Sequence, residues 1–185
     1  MTRGIIVFGP AGSGKTTLGR AVAVRLDYPY YDLDDYIWRN DTAIPYTQMR
    51  TRQEKIDLLM GDIIRFPNFV MAGSMDSFNA PFVPLFDLGV FLTAPADIRV
   101  ARVTAREREE FGTRIEPGGD MHADQLKFID MTRRYDTDGS PSHQGHAQWA
   151  ATFVCPVLHM DGTLPIADNA AQVVEAYRTK PMQSP

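Results

Sequence analysis

Cysteine is nearly missing from this sequence. Cys155 stands alone among 185 residues, so no internal disulfide can form. It has no metal-ligand spacing to any partner, and within Phe153-Val154-Cys155-Pro156-Val157 it reads as a small buried thiol at a strand start. Long apolar runs are missing as well. Nowhere do about 18 apolar residues follow one another, so no membrane-spanning helix and no membrane partner are expected. Charge of one sign is not in excess either: the formal net charge is −4, without the broad basic face that nucleic-acid binding requires. His143 and His146 lie in a turn-rich stretch without a Cys or acidic partner at metal spacing, so surface positions are expected for both. The first apolar strand begins within about four residues of Met1, which leaves no room for a secretory leader, and a cytoplasmic location is expected. There is no internal repeat and no low-complexity linker. A length of 185 residues with 44% hydrophobic and 23% charged residues suits one domain, 1–185, with a substantial core.

What the chain does have is Gly9-Pro10-Ala11-Gly12-Ser13-Gly14-Lys15-Thr16-Thr17, a match to G-x-x-x-x-G-K-[ST] at every fixed position. Gly4-Ile5-Ile6-Val7-Phe8 before it reads as a buried strand, and Leu18, Ala21, Val22 and Leu26 after it repeat at helical spacing. Strand, glycine-rich turn and helix start make an anion cradle. Glycines let the backbone wrap around a phosphate with its N–H groups pointing inward, and the helix dipole adds to the attraction. The pattern predicts nucleoside triphosphate binding by Gly9, Ala11, Gly12, Ser13, Gly14, Lys15, Thr16 and Thr17. Lys15 reaches the β- and γ-phosphates, and the Thr16 hydroxyl holds magnesium.

The remainder alternates strands with helices. Strands are expected over Tyr28–Asp32, Asn68–Gly73, Asp87–Thr93 and Val157–Met160. Helices are expected over Glu54–Arg65, from Pro95 to about Glu110, over Met121–Tyr135 and His146–Thr152, and from near Asp168. Phe111–Asp120, with Gly112, Pro117, Gly118 and Gly119, reads as a loop, and the tail 180–185 as frayed. This order implies an α/β fold in three layers: a five-stranded parallel sheet, helices on both faces, and a lid. Ligands on such sheets bind beyond the carboxyl ends of the strands.

Asp32-Leu33-Asp34-Asp35 follows the second strand, so it is expected on the same rim as the phosphate loop. Phosphoryl transfer needs an oriented acceptor hydroxyl and carboxylates that hold magnesium or its waters. Asp32 is the candidate for magnesium, and Asp34 for acceptor binding and proton removal. A helix N-cap supplied by Asp34 or Asp35 is the competing explanation. Arg99, Arg102 and Arg106 share one helical face, with Arg108 and Arg114 flanking the loop that follows. Arg102, Arg106 and Arg114 are expected to contact phosphate after lid closure. Arg99 is expected on a solvated face laced with Glu–Arg pairs such as Arg106 with Glu110, and Arg133 and Arg134 are weaker candidates. Trp38 and Trp149 read as core anchors of small helices rather than stacking platforms.

The phosphate loop, Tyr31-Asp32-Leu33-Asp34 and Met49-Arg50-Thr51-Arg52-Gln53-Glu54 together resemble the shikimate-kinase branch of the nucleoside-monophosphate-kinase-like P-loop kinases. The resemblance implies that Asp32 serves magnesium and Asp34 the acceptor hydroxyl. It also implies that Arg50 binds an acceptor carboxylate from the start of the next helix, that Gly73 lies in the acceptor site, and that the loop Asp161–Ile166 packs against adenine. Ala72-Gly73-Ser74 departs from the glycine triplet of that branch, Gln53 replaces an acid, and the segment 106–121 replaces its short lid, so shikimate itself is not the expected acceptor. The lid segment is instead similar to one in bacterial P-loop proteins labelled generically as ATPase or kinase. The implied activity is an ATP- and Mg2+-dependent phosphotransferase acting on a small-molecule acceptor, with an acceptor region at about 33–66, a lid at about 106–145, and a monomer or homodimer as the state. The alternative is a regulatory NTPase or nucleotide-binding switch. Against it, the third strand lacks an immediately following acid, Asp76 coming several residues late.

Overall fold

A computed structural model of the chain describes residues 2–75 and 77–179. The tail 180–185 and the late acid Asp76 lie outside the described residues. Five strands, β1 (Arg3–Phe8), β2 (Tyr30–Asp32), β3 (Asn68–Ala72), β4 (Phe86–Thr93) and β5 (Val157–Asp161), form one parallel sheet in the order β2-β3-β1-β4-β5. The helices are α1 (Lys15–Leu26), α2 (Leu33–Ile37), α3 (Arg52–Ile63), α4 (Ala96–Phe111), α5 (His122–Arg134), α6 (His143–Ala150) and α7 (Ile166–Thr179).

The central strand shows why the sheet must be covered twice. Ile5, Ile6, Val7 and Phe8 are each 0% exposed, and successive side chains in a strand point to opposite faces. Ile5 and Val7 join Leu18, Val22, Val173 and Val174 under α1 and α7. Ile6 and Phe8 join Leu33, Leu59 and Ile63 on the other face, where Phe8 stacks on Phe91 at 5.0 Å and meets the Trp149 edge at 4.9 Å. Each of these side chains, fully buried, contributes about 1.5–3 kcal/mol by leaving water.

Several boundaries differ from the sequence expectation, each for a local reason. Helix α3 starts at Arg52, two residues before the expected Glu54, because Thr51 caps it: its hydroxyl accepts from Glu54 N while Glu54 accepts from Thr51 N. Helix α6 starts at His143 rather than His146, with Ser142 accepting from Gly145 N as its cap. Strand β2 is only Tyr30–Asp32, and α7 begins at Ile166, ahead of Asp168. Phe111–Asp120 is not a plain loop. It carries a 3-10 helix at Gly112–Ile115, closed by Met121 N donating to Arg114 O at 3.0 Å.

Two residues expected in solvent are buried. His146 is 2% exposed, packed edge-on against Phe8 and Phe91. Arg99 is 0% exposed; it donates to Ala94 O and Thr132 O, pairs with Asp136, and lies over the Tyr135 ring. The Arg99 side chain thereby ties α4 to the end of α5, a structural role. Arg106 pairs with Glu107 rather than Glu110. Cys155 is buried just ahead of β5, and Trp149 anchors α6.

Candidate functional site

The carboxyl ends of the strands gather the phosphate loop, the turn into α2 and the start of α4. In the phosphate loop Gly9, Gly12 and Gly14 all take positive φ, of 143°, 77° and 97°. At Gly9 and Gly12 a side chain is excluded outright, since an added Cβ would lie 2.1 Å from Leu92 O and 2.4 Å from Arg99 O. Gly14 is the N-cap of α1, so Lys15, Thr16 and Thr17 present the first N–H groups of the helix toward the loop. Ala11 completes the turn. Ser13 differs from the others: its hydroxyl is buried without a partner, and its N–H donates to Pro10 O at 3.3 Å. Lys15 Nζ arches back to 3.5 Å from Pro10 O.

Lys15, Asp34 and Arg106 share one electrostatic field. Desolvation lowers the Lys15 pKa, with Asp34 and Asp32 opposing and Arg106 reinforcing the shift. Desolvation raises the Asp34 pKa even though its side chain is exposed to solvent; Lys15 and Arg106 counteract this, and Asp32 adds to it. Asp32 is the true N-cap of α2, accepting from Asp34 N at 3.3 Å. The helix cap does not therefore consume the Asp34 carboxylate. Asp32 also accepts from the Tyr30 hydroxyl at 3.1 Å; burial, then Asp32, pushes that hydroxyl's pKa up, and Thr16 opposes the shift. Thr16 and Asp32, the two magnesium candidates, thus both bear on the Tyr30 hydroxyl. A hydroxyl beside a carboxylate at a helix N-terminus is an oxygen donor set that suits a hard divalent cation.

Other expected site residues are placed differently. Arg50 lies before α3, not on it, and its guanidinium donates to Asp35 O at 2.8 Å and to Trp38 O, so it braces the end of α2. Gly73 is buried at φ 140° with its N–H given to Val7 O, and an added Cβ would come within 2.6 Å of Leu33 Cβ. Its contribution is the space that lets Leu33, and hence Asp34, approach the sheet. Arg102 meets carbonyls, not the N–H side of the loop: Nη1 donates to Gly162 O at 2.9 Å and to Gly12 O and Ser13 O. Arg102 therefore pins the loop after β5 onto the back of the phosphate loop. Arg114 is held by both Asp120 oxygens and reaches Ala43 O at 3.3 Å. Of Arg102, Arg106 and Arg114, it is Arg106 that stands in the field of Lys15 and Asp34.

Sequence reasoning did not place Ser74, His146 or Tyr46 beside the site. Ser74, at the end of β3, hydrogen-bonds His146 Nε2 at 3.1 Å, and His146 Nδ1 meets the Tyr135 hydroxyl at 2.8 Å. Burial, then the charge of Lys15, lowers the His146 pKa to about 4, so the ring is neutral. Tyr46 stands at φ 58°, edge-on to both Trp38 and Phe111, in the field of Asp34 and Arg106. Ser74 and His146 are 72 residues apart, beyond any local periodicity.

Residues 5–124 match the family model described as an AAA domain. The uncharacterized protein YqaC of Bacillus subtilis (strain 168) is 29% identical over 177 residues, covering 95% of this chain and 97% of that protein. A cytidylate kinase of Haloarcula marismortui is 29% identical over 169 residues, covering 77% and 88%. The shikimate kinase structure from Bacteroides thetaiotaomicron superposes with a TM-score of 0.58 at 17% identity, covering 95% of this chain and 98% of that one. The last likeness speaks for the fold. The architecture is that of P-loop kinases.

Proposed function

The chain belongs to the AAA domain family, and from that premise we propose that it is an ATP- and Mg2+-dependent phosphotransferase acting on a small-molecule acceptor. The observation that carries this reading is Asp34. Its carboxylate is free of the helix cap, raised in pKa, and set against Lys15 and Arg106 at the mouth of the phosphate loop. A phosphate loop alone binds a nucleotide; a basic carboxylate beside it adds a site for the proton of an incoming hydroxyl.

In this reading the N–H groups at the start of α1 and Lys15 bind and orient the phosphates, while Thr16 and Asp32 hold magnesium. Bound magnesium neutralises charge on the transferred group. Asp34 takes the acceptor proton as the acceptor oxygen bonds to the γ-phosphorus and the bond to the ADP oxygen breaks. Arg106 balances the charge spread over the transferring oxygens. Arg102 keeps the phosphate loop and the nucleoside side in register.

The test is ADP formation with and without pooled hydroxylated metabolites, including nucleoside monophosphates and hydroxy acids. Acceptor-dependent turnover is expected. Turnover that ignores every acceptor and responds to added protein partners would replace the kinase reading with a nucleotide switch.

A further inference from the structure

Arg106 and Glu107 are neighbours in α4 but belong to different faces of it. Arg99, Val103 and Glu107 recur every four residues and form the buried stripe of the helix. Arg102 and Arg106, also four apart, run beside that stripe on the exposed side. The first of this pair fixes where the second lies. Arg102 Nη1 donates to Gly12 O, Ser13 O and Gly162 O, so the next turn of the same face carries Arg106 past the phosphate loop. Lys15 and Asp34 both register its charge.

Successive residues on a helix do not face each other. Here the Arg106 guanidinium nevertheless turns back to its neighbour. Glu107 Oε1 accepts from Nη2 at 2.6 Å and from Nε at 3.2 Å, while the Phe128 ring of α5 covers the guanidinium with its centroid at 6.0 Å. The two partners are unequally exposed. Glu107 is 7% exposed, whereas the Arg106 side chain keeps 56% of its surface in solvent. A half-solvated arginine needs no partner, but a buried carboxylate does. Glu107 therefore cannot release Arg106 without being left charged in the interior. Beyond this pair the five-donor fork retains Nη1 and the second Nη2 proton, which point away from the shared carboxylate oxygen.

We infer that Glu107 is the positioning residue of Arg106. It holds the guanidinium in one orientation beside the phosphate loop before any ligand arrives, so Arg106 meets the transferring group as a fixed donor and not as an arm that swings in with lid closure. The inference rests on the phosphotransferase reading and deepens it. A donor that is already oriented needs no reorganisation when charge develops on the transferring oxygens. A planar guanidinium suits the task, since one edge can stay on a carboxylate while the other meets a phosphate oxygen.

Two substitutions separate the possibilities: Glu107→Leu removes the acceptor oxygen, and Glu107→Gln keeps one without its charge. In the 15N-labelled full chain the Arg106 Nε–H signal is assigned by Arg106→Lys. It is expected to be protected from solvent exchange in the free chain, with Mg-ADP, and with Mg-ADP plus fluoroaluminate, a mimic of the transferring group, and to lose protection in Glu107→Leu. Fluoroaluminate should tighten Mg-ADP binding in the wild type. Arg106→Ala should weaken that complex about 100-fold, the scale of one lost transition-state donor. Glu107→Leu should weaken it about 10-fold, as a displaced donor does, and Glu107→Gln by much less. The double variant should lose no more than Arg106→Ala alone, because Glu107 acts through Arg106. Mg-ADP affinity without fluoroaluminate should stay unchanged throughout. Arg106→Ala should melt below the wild type, and adding Glu107→Leu should restore the melting temperature. Losses that add in the double variant, protection that appears only with fluoroaluminate, a wild type that fluoroaluminate does not tighten, or an Arg106→Ala chain that melts like the wild type would each overturn the assignment. If no acceptor is turned over while this pattern holds, the kinase reading falls and the role of Glu107 toward the bound nucleotide stands.

Discussion

Lys15 and Asp34 are shifted in opposite directions by the same desolvation, and each holds the other partly in check. Lys15→Ala is expected to abolish nearly all phosphoryl transfer while the protein stays folded, and the rise in melting temperature that Mg-ATP gives the wild type should shrink strongly. Asp34→Asn acts on the acceptor side. Its turnover should fall by about 100-fold or more, the usual scale for a lost general base, while Mg-ATP still raises the melting temperature. The sign of its stability effect follows from the raised pKa. A carboxyl with its folded pKa above the unfolded value stabilises the fold only at low pH, and that contribution is lost as pH rises through the folded value. At neutral pH the asparagine variant should therefore melt no lower than wild type. A lower melting point would return Asp34 to a structural role, although Asp32 already fills the cap of α2.

At the scale of the element, α6 is where the amino-acid pattern gave least warning. Its His146 joins Ser74 after β3 to Tyr135 after α5, so three separate segments meet at one neutral ring. The folded pKa near 4 lies below the ordinary 6.5, so the neutral ring stabilises the fold above about 6.5, and that stability is lost as pH falls toward 4. The difference amounts to roughly 3 kcal/mol at most. Denaturant titrations across this window should show a slope that His146→Gln lacks. Identical slopes in the two proteins would mean that the ring does not resist protonation. The expectation of a surface histidine failed because His143 and His146 lie in a polar, turn-rich string. Phe91 touches both rings, so the packing of Phe8 and the bonds to Ser74 and Tyr135 show which of the two is covered, and His143 remains exposed.

Across the whole molecule, the 106–121 segment and the 39–48 loop touch through Arg114 with Ala43 O and through Phe111 with Tyr46, whose ring centroids are 6.4 Å apart. Arg114 also closes its own turn onto Asp120, an exposed pair of small weight in the fold. Arg114→Ala should leave the melting temperature without ligand nearly unchanged and lower turnover by loosening the lid against the 39–48 loop. Hydrogen exchange reads this directly. The amides of 112–121 should gain protection with Mg-ATP and acceptor in the wild type, and gain less in the variant. Equal protection with and without ligands would make the segment a fixed wall.

The sequence by itself determined the nucleotide side of this protein. The phosphate loop needs its glycines, lysine and threonine at fixed spacing along one turn, so a linear pattern specifies it, and strand–helix alternation specifies a parallel sheet with its ligands at one rim. Asp32 was legible as the acid that ends β2, with Asp34 two residues on in the first turn of α2. The surroundings of Asp34 and Arg106 were decided by tertiary structure, because they come from segments that do not repeat or adjoin. Whether an arginine is free or spent depends on which carbonyls surround it, and so Arg50 and Arg99 carry loads in the fold that spacing does not reveal.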